Sequence, residues 1–534
     1  MHDLARFSLL NLTVSFAFRI SLWFIITTLL FLVFWWMAVS FYRLFLHPLS
    51  DVPGPKLAAI SNVWYANKAR QGRCRELGKT LHERYGPIVR VGPKEVWFNT
   101  KEAFKMIYSG GGYEKSDFYL ATALHRPRVN WRLQVQSPDT LDLLSERDMK
   151  RYRLQRRLIG TTYHISNLKK HEHAIDAVLK RAVAQLRTLN GAEVDLKQWM
   201  HIIVVECLGA VVLSWSPGYI KDKSDGGTGM HAYLGWRLKS VYGLFPWAPV
   251  MGTYSKTLGR AFSKLWGLTY STPKGFKTFF TTVYQKSSKR INVALKGKSP
   301  GDPRQDLLAD LINLNKRKPV FKETYLRRMT MTNFGAGHET MTSALTSVMA
   351  MIGSHGQVQK KVAEEIRSAE DPVKFDNSVR LSYTQACIKE AQRLHPVIGM
   401  SLPRKVSSGG MHLHGHYIPP GTTVGCNPVA LHRNKDIFGP DAAVFNPDRW
   451  LNPELDTKAM ERFNLTWGGG ARTCPGRHLG ELIVYKVVLA LLKEFDVEVN
   501  IPPEEDMPIY FMAMLSGVRA RFLPRKQPVE DPTP

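Results

Sequence analysis

Between Arg19 and Arg43 the chain carries no charged side chain, and this stretch constrains how everything after it can fold. Ile20 to Tyr42 is about 23 residues, and a helix rising about 1.5 Å per residue would reach about 34 Å, enough to cross a bilayer's hydrocarbon core. Trp23, Trp35, Trp36 and Tyr42 lie toward its ends, where aromatic rings settle at the membrane interface. A cleaved signal peptide would have a shorter apolar run ending in small residues, which FWWMAVSFYR does not provide. Arg43, Lys56, Lys68, Arg70, Arg73, Arg75 and Lys79 follow the stretch, against Arg6 and Arg19 before it, so the positive-inside rule puts the bulk of the chain in the cytosol. The expectation is an N-terminal anchor over residues 1–43, with its transmembrane helix at about 20–42. In HPLSDVPGPK, Pro48, Pro53 and Pro55 predict a stiff, extended hinge over 44–56.

The remainder needs a globular explanation. With 44% hydrophobic and 22% charged residues in 534, the composition excludes wholesale disorder. Lys and Arg outnumber Asp and Glu by 73 to 45, a formal charge of +28 that suits an anionic partner. No basic–aromatic repeat or nucleic-acid motif accompanies it, so nucleic acid is not the expected partner. The five cysteines are scattered with no C-x-x-C pair, which points to a reducing compartment and away from structural zinc. Helical periodicity dominates: Ile165 to Leu189, an apolar Lys322 to His355, and Ser382 to Pro396. Strand-like pieces are short, at 87–99, 410–426 and after Glu494. KDKSDGGTG (221–229) is expected as an exposed loop. His412, His414 and His416 would share one side of a strand and could bind metal, but exposed hairpin histidines are the plainer expectation.

The richest segment is WGGGARTCPGRHLGELIVYKVVLALLKEF, Trp467 to Phe495. Gly468, Gly469 and Gly470 reach backbone angles closed to other residues and let the chain approach something flat. Cys474 then sits before an apolar helix, where the helix N-terminus with Arg472 and Arg477 favours thiolate, a soft ligand suited to iron. A phosphate loop would need Lys-Ser/Thr after the glycines, and none follows. A buried structural cysteine beside a turn is the other reading of this loop alone.

The loop resembles the haem-binding signature of cytochromes P450, F-x-x-G-x-R-x-C-x-G, at Gly470, Arg472, Cys474 and Gly476, with Trp467 in the phenylalanine place. AGHET (336–340) is similar to the family's A/G-G-x-D/E-T on its long central helix, although Met341 stands where a second Thr or Ser is common. KEAQRLHP carries an E-x-x-R at Glu390 and Arg393, and FNPDRW (445–450) resembles F-x-P-x-R-x. YRLQR, ending at Arg156, is similar to W/H-x-x-x-R with tyrosine as the aromatic.

This resemblance implies a mainly α fold with a small β subdomain, the cytochrome P450 fold, behind a single N-terminal transmembrane helix. Residues 57–534 would form the catalytic domain. The implied cofactor is haem b (iron protoporphyrin IX), with Cys474 ligating the iron and Trp467 and Gly470 packed at its proximal side. Arg472, Arg156 and Arg404 would meet the propionates. Gly337 would leave room for dioxygen, and Glu339 and Thr340, side by side, would deliver protons. Glu390, Arg393 and Arg449 would form a buried structural network.

HPLSDVPGPKLAAIS and LHRNKDIFGPDAAVFNPDRW resemble fungal microsomal P450s, similar to pisatin demethylase-type enzymes of secondary metabolism. The implied reaction inserts one dioxygen atom into a lipophilic small molecule and releases the other as water. No flavin or nicotinamide signature is present. The implied electron donor is therefore NADPH–cytochrome P450 reductase, with cytochrome b5 as a second, at the endoplasmic reticulum membrane. Two other classes are consistent with haem-thiolate binding: an isomerase or dehydratase that needs no electrons, and a non-catalytic haem protein. Glu339 and Thr340 argue against the first.

Overall fold

The charge-free stretch lies in one helix, α1 (His2–Phe41), as far as Phe41, and the apolar segment Ser21–Leu46 has mean hydropathy 2.3 with Ser40 alone of it buried in the protein. By length and composition it can cross a membrane. The computed structural model describes residues 2–525 except 111–112, 126, 133, 273–275, 277 and 297–303, without the side chains of 2–18 and 20.

The proline-rich segment is not the extended spacer that its prolines predict. Tyr42–Leu46 continues as a wider π-helical turn, and the next residues fold back, Ser50 N–H donating to His47 O at 2.7 Å. Leu49 and Val52 are buried. Arg90, itself buried, donates to the carbonyls of Arg43 (2.8 Å) and Leu49 (3.1 Å). A buried guanidinium requires acceptors, and the linker supplies them, so the segment docks onto the body.

Beyond it the body is mainly helical. The helices that build the site are α2 (Met149–Ile159), α3 (Glu172–Arg187), α4 (Leu196–Leu213), α5 (Thr228–Leu244), α6 (Glu323–Gly353), α7 (Ser382–Leu394) and α8 (Arg477–Glu494). Helix α4 is apolar enough to span a membrane, but 89% of that span is buried within the body. Such an all-round apolar helix is a core element, and it packs against α6. The α6 helix also packs on α7 and α8, so it forms the axis of the domain. The single helix predicted over 165–189 is broken: Ile165–Leu168 is α-helical, Lys169–His171 is a 3-10 turn, and α3 starts at Glu172. Asp310 gathers Lys170, His171 and Asn167 at the break.

Among the described residues a five-stranded sheet, a three-stranded sheet and two small hairpins complete the body. The first contains β1 (Ile88–Gly92), β2 (Glu95–Phe98), β3 (Glu114–Lys115), β4 (Arg404–Lys405) and β5 (Thr423–Gly425), in the order β1-β2-β5-β4-β3, with only the β2–β5 pair parallel. Its register sets Lys115 opposite Arg404. The second joins β6 (Phe495–Asn500) and β7 (Arg519–Pro524) to Val194–Asp195.

One local expectation needs correction, whereas the histidines lie on a hairpin as expected. Residues 221–229 are not an exposed loop: Lys221 and Lys223 are exposed, but Asp225, Thr228 and Gly229 are buried, and α5 begins at Thr228. The three alternating histidines do not share a strand. His412 and His416 lie on opposite strands of a hairpin whose turn holds His414 at φ 52°, with His414 Nε2 2.9 Å from Thr100 Oγ1.

Candidate active site around Cys474

The cysteine loop is shaped by close approaches. Gly468 (φ +80°) and Gly470 (φ +58°) take left-handed angles, and a Cβ on Gly470 would fall 1.8 Å from the Tyr108 carbonyl oxygen. The Trp467 indole lies on the first turns of α8, where a Cβ on Gly480 would come within 2.9 Å of the ring. The Trp467 carbonyl accepts the Cys474 N–H at 2.8 Å, so the aromatic and the sulfur are set by one bond. Cys474 is half-buried, three residues before α8 begins. Burial pushes its thiol up, while the Gly476 N–H, Arg156 and Lys115 pull toward the anion. These cations are not the pair expected from the sequence. Arg477 is engaged with Glu481 at 2.7 Å, and Arg472 donates to the carbonyls of Glu146 (2.5 Å) and Arg147 (3.0 Å).

Three cations crowd the same region. Burial, then Arg472 and Arg404, depress the buried Lys115 well below the usual lysine range. Burial, then Arg404, brings Arg472 down to about 10. Each sits over a ring: Lys115 over Tyr119, Arg404 over Tyr108 and Arg472 over Tyr152, at 4.6, 5.1 and 4.1 Å. Their hydrogen bonds go to neutral acceptors, and Arg472 Nε is buried without a partner. Arg156 reaches the Thr473 carbonyl and the Tyr152 hydroxyl.

Behind the loop, Glu390 is fully buried and accepts five hydrogen bonds. They come from Arg393 Nε and Nη2 (both 2.8 Å), Arg449 Nε (2.8 Å), Trp450 Nε1 (2.9 Å) and Asn446 N (3.0 Å). The arginines continue into backbone carbonyls: Arg393 into His432 and Ala442, Arg449 into Phe438 and Asp441. His432 Nε2 then accepts the Leu465 N–H at 2.8 Å, two residues before Trp467. The network therefore reaches the cysteine loop through one histidine.

On α6, Glu339 and Thr340 do not stand side by side. Neighbours on a helix diverge by about 100°. Glu339 is buried toward α5, its Oε2 accepting Trp236 Nε1 at 2.6 Å, with Oε1 unpartnered. Burial raises its carboxyl to about 7, against the Trp236 hydrogen bond and the charges of Lys239 and Lys197. Thr340 Oγ1 donates back to the Ala336 carbonyl at 2.7 Å, and Ala336 is exposed in a largely buried stretch. Gly337 packs closely on α4, where a Cβ would meet Leu208 at 3.2 Å.

Residues 53–519 match the Cytochrome P450 family. This chain belongs to it. The P450 is 59% identical to Cytochrome P450 monooxygenase sdnT of Sordaria araneosa, over 92% of this chain and 94% of that one. It is 29% identical to a pisatin demethylase of Fusarium vanettenii, with 89% of each chain covered. It is 30% identical to Cytochrome P450 monooxygenase pkfB of Emericella nidulans, over 92% and 93%. The chain is thus a fungal-type P450 monooxygenase of a haem-thiolate family.

The residues of this P450 fit a haem. Cys474 offers a half-buried sulfur as a soft metal ligand, and buried Lys115 and Arg404 with half-buried Arg472, which repel one another, suit an anion of more than one charge such as two propionates. Lys115 was missed from sequence. Its place beside Arg404 comes from pairing two-residue strands nearly 290 positions apart, for which no local pattern exists.

Proposed function

We propose that this P450 oxidises a lipophilic small molecule of fungal secondary metabolism at the cytosolic face of the endoplasmic reticulum. Electrons would come from NADPH–cytochrome P450 reductase, with cytochrome b5 as a second donor. Residues 1–43 would be the anchor, 44–56 a docked connector and 57–534 the catalytic domain. The observation that carries the reading is the half-buried Cys474 sulfur, supported by the Gly476 N–H beside the Lys115, Arg404 and Arg472 cluster. The +28 charge suits both an acidic reductase face and an anionic leaflet.

Haem b, ligated by Cys474 with its propionates on the cation cluster, would supply the dioxygen-activating redox chemistry. The chain's own groups do the rest. Arg156 fixes the loop through the Thr473 carbonyl and favours an anionic sulfur. Trp467 and Gly470 set the loop's distance from α8 and from Tyr108. The Glu390–Arg393–Arg449 network holds the loop from behind. Thr340 Oγ1 can pass on its proton while taking another from water. Glu339, at about 7, can be refilled near neutral pH. Because the two diverge around α6, a proton passing between them travels through water or with rotation of the Glu339 side chain.

The test uses full-length protein in membranes. Reduced protein with carbon monoxide should show the red-shifted band of a thiolate ligand, which Cys474→Ser abolishes. Product formation from a panel of fungal metabolites should require both NADPH and reductase. Turnover without either would overturn the reading in favour of an electron-independent isomerase or dehydratase.

A further inference from the structure

A cavity of about 210 Å³ lies where α4, α5 and α6 meet. Its outer rim is formed by half-buried Asp195, Gln198 and Gly227 and by exposed Met230, while Glu339, Thr342 and Met514 line it deeper in. Between them lie Lys197, His201 and Asp225, all buried. Among the described residues four polar atoms here are buried without a well-formed hydrogen bond: Lys197 Nζ, both ring nitrogens of His201 and Glu339 Oε1. Orphaned polar atoms around a space large enough for several waters indicate a wetted path.

His201 Nδ1 lies 2.9 Å from Asp225 Oδ2. Asp225 also accepts the N–H groups of Gly227 and Gly229, both at 2.9 Å. Burial works to raise the Asp225 carboxyl, but His201 and those N–H groups hold it at about 2, so it stays anionic. The contact depends on Gly229, where a Cβ would fall 2.9 Å from Asp225 Oδ2 and 3.2 Å from the His201 ring. An imidazole with one nitrogen held by a carboxylate can take a proton on the other and release it. Each monooxygenase turnover consumes such protons: substrate, dioxygen, two reductase electrons and two protons become hydroxylated product and water.

We propose that this cavity is the proton-uptake path of the enzyme, with the His201–Asp225 pair as the station between solvent and Glu339. The inference rests on Glu339 being the buried acid of the reaction. Lys197 from α4 and Lys239 from α5 face Glu339 and favour its anion. Burial lowers Lys197, while Asp195, Asp225 and Glu339 all favour its cation, and the hydroxyls of Tyr233 and Tyr270 also feel the Glu339 charge. His338, which stacks edge-on against His201 at 5.6 Å, is brought to about 3 by burial, then by His201, and carries no proton near neutral pH.

The test uses resting, substrate-free holoenzyme. The carboxylic-acid stretch of Glu339, assigned by its loss in Glu339→Gln, is followed in the infrared after transfer to D2O and after a pH jump across its midpoint. His201→Gln and Asp225→Asn should slow both processes at least about a hundredfold, the lower end of what positioned proton-transfer groups contribute. The reduced carbon monoxide band should stay at the wild-type position. Under turnover the same variants should raise the solvent deuterium isotope effect, and adding Glu339→Gln should raise it no further. Wild-type rates in both variants, while Glu339→Gln still uncouples, overturn the His201–Asp225 station and leave the acid in place. An unaltered Glu339→Gln enzyme removes the acid itself. Should the buried variants not fold, Met230→Trp at the exposed mouth should slow the same exchange, and an unchanged rate there overturns the path.

Discussion

Replacing Glu390 by alanine tests whether the buried network, and not the cysteine loop alone, holds the site together. Arg393 and Glu390 are each 0% exposed, and among the described residues their two bonds are the only ones Arg393 makes to a carboxylate. Arg449 differs, because it also pairs with Asp441 at 2.7 Å, whose side chain is 40% exposed. Removing Glu390 therefore leaves Arg393 as an uncompensated buried charge, which costs about 3–5 kcal/mol. Losing the acceptor for Trp450 Nε1 and Asn446 N adds about 1 kcal/mol each. A total of about 5–7 kcal/mol is a large part of the roughly 5–15 kcal/mol that holds a typical domain folded. Asp441→Asn, facing solvent, should cost only about 1 kcal/mol. Urea unfolding of detergent-solubilised holoenzyme, followed by circular dichroism and by loss of the thiolate band, measures both. Glu390→Ala within about 1 kcal/mol of wild type, or Asp441→Asn costing as much as Glu390→Ala, would refute the reasoning.

Thr340→Ala should keep the carbon monoxide spectrum while oxygen consumption rises relative to product; unchanged coupling would remove Thr340 from proton delivery. Gly480→Leu should drive Trp467 off α8 at a cost of about 1–3 kcal/mol and lower haem retention on purification; full retention would show that the indole does not set the loop. For Glu339, the folded carboxyl sits at about 7 against an ordinary 4.5, so the folded state binds this proton more tightly. That contribution is fully present below about 4.5 and is lost as pH rises to about 7, a fall of about 3 kcal/mol. Glu339→Gln should flatten the stability–pH curve over that window, and an unaltered slope would show that the group titrates normally.

What the chain disclosed on its own follows a physical divide. The charge-free helix, the glycine-rich loop with Cys474 and the long α6 each depend on neighbours in sequence, so periodicity and spacing reveal them. The arrangements that were missed depend on partners far along the chain. Lys115 faces Arg404 only because β3 pairs with β4, and Gly337 accommodates Leu208 only because α6 crosses α4. Prolines stiffen a free chain and so predict an extended linker, but buried Arg90 takes the Arg43 and Leu49 carbonyls among its acceptors, beside that of Pro93, and draws the segment onto the body.

The same divide explains the misreading of residues 221–229. A glycine-rich polar run signals a solvated turn when nothing buries it, and Lys221 and Lys223 are indeed exposed. At Asp225 the identical composition serves the opposite end, because Gly229 gives up its side chain so that His201 can lie against the carboxylate. Glycine there removes a steric obstacle to burying charge instead of marking exposure. A Gly229→Ala variant separates the two roles: a merely solvated turn would tolerate the methyl group, whereas a packed carboxylate–imidazole contact must open. Opening it should weaken the N–H groups' hold on Asp225 and lift its carboxyl above about 2, which a titration of that group would register.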